Sequence, residues 1–215
     1  MLAVRVCSGK IHDLSHKKLE FMSGGIAELR DSGILLQLAY QAMLELKLDI
    51  PLIFERCGVK AEILQDRNAR TPHDAQNLFW QVLEEVSGDP HIGLHIAEKM
   101  PVYKGQVLQY LFLSSPTFGD GLNRALNYQR LLSDATLATF EMVGNEASIR
   151  VSSSSEKVIE LRHLSEAVAV GLLRFFSYVT DGKFVLNRVH FTHQLEGDDS
   201  EHVRIYGCDV SFGED

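Results

Sequence analysis

The sequence predicts an α+β fold: an N-terminal helical layer packed on a small, mostly antiparallel sheet that carries one long helix. Three observations predict it. From Ser32 to about Asp134 apolar residues recur at helical spacing, and around Gly144-Asn145 the period drops to two. Beyond the tract Ser152 to Ser155, one long amphipathic stretch is followed by short segments that alternate again. Helices, a hairpin, then helix, strand, helix and strand is an α+β order.

Taken in order, residues 1–31 mix polarity and glycine without a sustained period and read as an irregular N-terminal arm. Residues 32–215 read as one domain, since domains commonly run to about 100 to 200 residues. In "SGILLQLAYQAMLELKL", Leu35, Leu38, Ala39, Ala42, Met43 and Leu46 share a helical face. "DIPLIFERCG" is a short helix with Asp49 as cap, Pro51 in the first turn and Gly58 as the stop. "RTPHDAQNLFWQVLEEVSG" predicts a helix capped by Thr71, with Pro72 at its first position and Gly88 closing it. The next helix starts at Asp89 and Pro90 by the same logic. "QVLQYLFLSS" is a helix, Ser115-Pro116 a break, and Thr117 the cap of a further helix running to Asp134. "ATLATFEMV" and "EASIRVSSS" flank the turn Gly144-Asn145 and predict a hairpin. "HLSEAVAVGLLRFFSYVTDG" is the long helix; "KFVLNRVHFTHQ", "DDSEHVRIYG" and "CDVSFGED" read as strand, helix and strand.

Composition narrows the function classes. Of 215 residues, 45% are hydrophobic and 23% charged, and no apolar run is long enough for a membrane span, so a cytoplasmic protein is expected. Cys7, Cys57 and Cys208 are odd in number and widely spaced, which predicts free thiols. With 29 acidic against 21 basic residues, the net charge of −8 repels a phosphate backbone. No GxSxG turn, HExxH pair, phosphate-cradling glycine loop or dinucleotide fingerprint is present, so the chain does not read as an enzyme.

Two kinds of candidate remain. In "GDPHIGLHIAEKM", His91, His95 and Glu98 share a helical face and could approach one metal ion, but without a further ligand at a recognisable spacing the packing reading is preferred. His190 and His193, three apart in a predicted strand, point to opposite faces and cannot chelate jointly. No metal and no cofactor are therefore expected. The aromatics Trp80, Tyr110, Phe112, Phe140, Phe175 and Phe176 either fill core or line a cavity for an apolar small molecule. The corner between "GDGLNRALNYQRLLSD" and "ATLATFEMV" is the expected place for such a cavity. There Arg130 is the candidate polar anchor for a carboxylate, with Tyr110, Phe112 and Phe140 as apolar wall. The structural alternative pairs Arg130 with Asp134, four residues on.

The segments "ERCGVKAEILQDRNARTP", "GDPHIGLHIAEKM", "LFLSSPTFGDGLNRALNYQRLLSD" and "YGCDVSFGED" together resemble the arabinose-binding-like N-terminal regulatory domain of AraC/XylS-type bacterial transcription regulators. Arg70, Pro72, Gly88, Asp89, Pro90, Gly93 and Leu94 match its pattern in order, as do Ser114, Ser115, Thr117, Tyr128, Arg130, Leu131 and Leu132. The match runs from about residue 33 to the end of the chain. It implies a domain that senses a small-molecule effector, forms a homodimer, and controls a C-terminal pair of helix-turn-helix units that this chain does not include. DNA is then a partner only through that region, and no membrane is involved. Ligand-independent dimerisation, or a metal or haem sensor built on histidines, are the alternatives.

Overall fold

The computed structural model describes residues 2–6, 29–66, 68–102, 106–144, 146–154 and 161–213. The architecture is α+β, as the periodicity predicts. The helical half comprises α1 (Gly33–Glu45), α2 (Ile50–Cys57), α3 (Ala75–Ser87), α4 (Ile92–Lys99), α5 (Val107–Leu113) and α6 (Phe118–Asn127). Two short strands, β2 (Arg30–Ser32) and β3 (Arg70–Pro72), pair antiparallel at its edge. The other half is a five-stranded sheet in the order β4-β5-β1-β6-β7, built from β1 (Leu2–Val6), β4 (Thr136–Val143), β5 (Glu146–Ser153), β6 (Leu186–Phe191) and β7 (Asp209–Phe212). The long helix α7 (Arg162–Val179) and the short α8 (Ser200–Tyr206) complete it.

Several elements depart from the sequence reading, each for a physical reason. The arm read as irregular contributes β1 to the middle of the sheet, where Val4 is registered between Ile149 and Val189. Cys7 and the rest of the arm up to residue 28 lie outside the described residues. The expected hairpin is β4-β5, turning at Gly144 with φ of 60°. A mostly antiparallel sheet was expected, but the other three pairings are parallel. Parallel neighbours need crossover connections, and α7 and α8 supply those leading into β6 and β7. Thr71 and Pro72 do not open a helix. The backbone of residues 70–72 is extended because it pairs with residues 30–32, so α3 starts only at Ala75. The helix expected to reach Asp134 ends at Asn127, followed by one 3₁₀ turn over Gln129–Leu131.

Two buried clusters hold the halves together. One joins α1, α2, α3 and α4 around Met43, Ile53, Leu83 and Ile96. The other joins α7 to the sheet and to α5 and α6 around Ile149, Phe176, Val189 and Phe191. Helix α4 belongs to both: Ile92 and Ile96 face the first, Leu94 and Ala97 the second. The "GDPHIGLHIAEKM" segment is therefore the seam between the two cores. Gly93 explains how close that seam is, because a Cβ there would stand 2.5 Å from the His163 carbonyl oxygen on α7.

Candidate functional site

Where the helical half meets the sheet, the chain turns from α6 into β4, and this corner is tied down by one buried carboxylate. Asp31, 1% exposed, accepts hydrogen bonds from Ser133 Oγ at 2.6 Å, from Gln76 Nε2 at 3.0 Å, and from His73, whose Nδ1 lies 2.8 Å away. An ionised carboxylate only accepts, so His73 carries its proton on Nδ1. Burial alone would raise the Asp31 pKa, but the hydrogen bonds from His73, Ser133 and Gln76 together outweigh it and hold the carboxyl below its usual range. Around this hub the backbones interlock, with Ser32 N donating to Leu132 O at 2.7 Å and Asp134 N to Arg30 O at 2.9 Å. Arg70 closes the corner from outside, donating to Arg30 O at 2.8 Å and to Asp134 Oδ2 at 3.0 Å.

Against this hub lies a cavity of about 190 Å³. Its walls come from α5 (Leu108, Gln109, Phe112), α6 (Leu122, Ala125, Leu126), β4 and β5 (Thr136, Ala138, Val151) and α7 (Leu164, Val168, Leu172, Phe175). Asp31, His73, Gln76 and Ser133 form its polar edge. A second cavity of about 130 Å³ adjoins it between α1, α3, α4 and α7, sharing Leu35, Gln76, Leu164, Val168 and Gly171 as common wall. Arg174 borders this second space, but its guanidinium donates to the Ala97 carbonyl at 2.9 Å and to that of Met100.

Of the four candidate residues, Phe112 lines the larger cavity. Tyr110 points outward at 65% exposure, and Phe140 is partly buried against the sheet core outside the cavity wall. Arg130 is exposed beyond the end of α6; its carbonyl, not its guanidinium, enters the corner network by accepting from Arg70 at 3.3 Å. Asp134 pairs with Arg70, not with Arg130. Of the other aromatics, Trp80 lines the second cavity, while Phe175 and Phe176 line the first. Sequence reasoning missed Asp31, His73, Gln76 and Ser133. They are isolated polar residues brought together across as many as 102 positions.

A second polar cluster sits at the N-terminal end of α7. Glu166, 1% exposed, has His202 Nε2 at 2.9 Å and His193 Nε2 at 3.4 Å from one oxygen, and His163 Nδ1 at 3.8 Å from the other. Burial opposes ionisation, yet the three imidazoles hold the Glu166 carboxyl well below the usual carboxylate range. His163 also reaches Glu84 at 3.0 Å; burial opposes its charge, but the hydrogen bonds to Glu166 and Glu84 prevail, and its pKa stands above 6.5. His95, on the helical face that the sequence offers to a metal ion, is sandwiched between Asp89 at 2.5 Å and Glu201 at 3.1 Å, while Glu98 pairs with Arg204 at 2.9 Å. These groups cross-link α4 to α8. His190 points elsewhere and bonds to Ser211, and His193 lies past the end of β6.

Residues 48–215 match the family described as the arabinose-binding domain of AraC transcription regulators, N-terminal. The chain is also 22% identical over 160 residues to the ornithine utilization regulator of Pseudomonas aeruginosa, covering 74% of this chain and 47% of that protein. It thus spans about half the length of the curated relative it matches. Among the described residues no helix is long and apolar enough to cross a membrane.

Proposed function

Because the chain belongs to the family of arabinose-binding N-terminal domains of AraC transcription regulators, we propose that it is a regulatory domain whose larger cavity receives a small-molecule effector. The observation that carries this reading is the placement of the cavity: its wall is the corner that joins the helical half to the sheet. An occupant in contact with Leu126, Leu132 and Thr136 bears on both sides of that corner. To change the output, the effector must bind two arrangements of the domain with different affinity; equal affinity would shift nothing.

Binding, not catalysis, is the chemistry the polar edge supports. Ser133 Oγ and His73 Nδ1 are both committed to Asp31, so the hydroxyl is not hydrogen-bonded to an imidazole base. The helix-turn-helix region that would read DNA belongs to the longer protein, in the cytoplasm. Homodimerisation has a candidate surface on α5, where Val107, Tyr110 and Leu113 recur at helical spacing and are all exposed.

A thermal-shift screen of the 215-residue chain against chemically diverse small molecules tests the reading. A ligand at about 100 times its dissociation constant stabilises the native state by about 2.7 kcal/mol, which corresponds to about 5 to 10 °C for a chain of this size. At least one class should give such a shift, and Val168→Phe, which fills the wall shared by both cavities, should abolish it. Shifts that persist unchanged in Val168→Phe would contradict the assignment.

A further inference from the structure

Resting on the effector reading above, we propose that the larger cavity takes an uncharged, hydrocarbon-rich molecule and does not take a sugar or an amino acid. Three observations point there. Apart from the polar edge the walls are aromatic and aliphatic, among them Phe112, Leu126, Val151, Leu172 and Phe175. A cavity of about 150 Å³ lined by such side chains stays dry and accepts benzene, so about 190 Å³ holds a substituted ring or a chain of about six to eight carbons.

The second observation is that Asp31, His73, Gln76, Ser133 and Gln129 on the cavity wall are already hydrogen-bonded within the protein. Asp31 accepts on both oxygens, from Ser133 on one and from His73 and Gln76 on the other. Ser133 Oγ also accepts from Ala135 N at 3.1 Å. The Gln129 side chain caps the edge strand, its Nε2 donating to Ala138 O at 3.2 Å and its Oε1 accepting from Ala138 N at 2.5 Å. A pentose would have to bury its hydroxyls beside partners that are taken. Each hydroxyl left without a bond weakens binding by about tenfold or more.

The third is electrostatic. Asp31, the one acid among the described residues of the wall, accepts hydrogen bonds from His73, Ser133 and Gln76, and no lysine or arginine among them lines the space. A free amino acid brings a carboxylate, which would lose its water beside a like charge with no cationic side chain to pair with. The side-chain amide of Gln106, just before α5, suits at most a neutral polar end such as an alcohol or amide.

The test is calorimetric titration of the 215-residue chain with benzyl alcohol and 1-hexanol, and in parallel with L-arabinose and L-ornithine. Each is repeated on Val168→Phe and on Ala125→Leu, which fill the cavity from opposite walls. If one replacement impairs folding by circular dichroism, the other keeps the comparison. The proposal expects saturable one-to-one binding of the alcohols, weakened at least tenfold by a folded replacement. It expects no saturation by arabinose or ornithine up to about 10 mM. Arabinose or ornithine binding that the same replacements block, without binding of the alcohols, would overturn the ligand class and leave the effector reading standing. No binding by any of the four would overturn both.

Discussion

Glu166→Ala should destabilise the chain by about 3 to 5 kcal/mol at neutral pH, the usual cost of removing one partner from a buried ionic cluster. The carboxylate holds His163, His193 and His202 from α7, the segment after β6, and α8. Without it, His193 and His202, at most about a tenth exposed, lose this carboxylate partner, and His163 keeps only Glu84. Urea unfolding measures the loss, and Glu166→Gln, which keeps the volume, separates charge from shape. The pH dependence has a fixed sign. The Glu166 pKa is depressed below its ordinary 4.5, so its contribution is complete above about pH 4.5 and is lost as pH falls through the folded-state value. The His163 pKa is raised above 6.5, so its contribution is complete below about pH 6.5 and is lost as pH rises through the folded-state value. The gap between wild type and Glu166→Ala should therefore narrow toward both pH extremes. A gap under about 1 kcal/mol at pH 6 would refute this role for the cluster.

Gly93→Ala should cost about 3 kcal/mol, a large effect for one methyl group. The added Cβ would meet His163 O at 2.5 Å, His163 Cα at 2.6 Å and His163 C at 2.9 Å, all backbone atoms of α7 that cannot rotate away. Relief requires α4 and α7 to separate, which loosens both cores at once because Leu94 and Ile96 belong to different clusters. A helix interior otherwise favours alanine over glycine by up to about 1 kcal/mol, so propensity and packing predict opposite signs here. A melting temperature lowered by about 6 to 12 °C is expected. An unchanged or raised value would show that the helices are not held at this distance.

Much of this fold is written locally. The hairpin is legible because "ATLATFEMV" and "EASIRVSSS" alternate about a glycine turn, and α7 because Leu164, Val168 and Leu172 recur on one face. Pairing sense is not local. Strand β1 lies between β5 and β6, both more than a hundred residues away, and nothing in "LAVRV" names a parallel partner. The end of α6 was misplaced for a similar reason. Residues 128–134 keep apolar spacing, but Gln129 is drawn to Ala138 and Ser133 to Asp31, which bends the chain out of the helix. That early end removes Arg130 from the cavity. The polar hub was hidden because Asp31 sits beside Ser32, itself the α1 cap, and reads there as ordinary punctuation. Glu166 did leave a signal: it is an acid inside the apolar run "SEAVAVGLL", in a chain with nine histidines. A buried acid among apolar residues calls for cationic partners.

The central claim is that a small molecule occupies the space between α5, α6, α7 and the sheet. Methyl-resolved NMR of the chain, titrated with benzyl alcohol, tests it most directly. Saturable shifts are expected at cavity-lining methyl groups, among them those of Leu108, Leu126, Val151, Val168 and Leu172, with the exposed Val107 and Leu113 unmoved. Shifts at Val107 and Leu113 with the five cavity residues silent would contradict it.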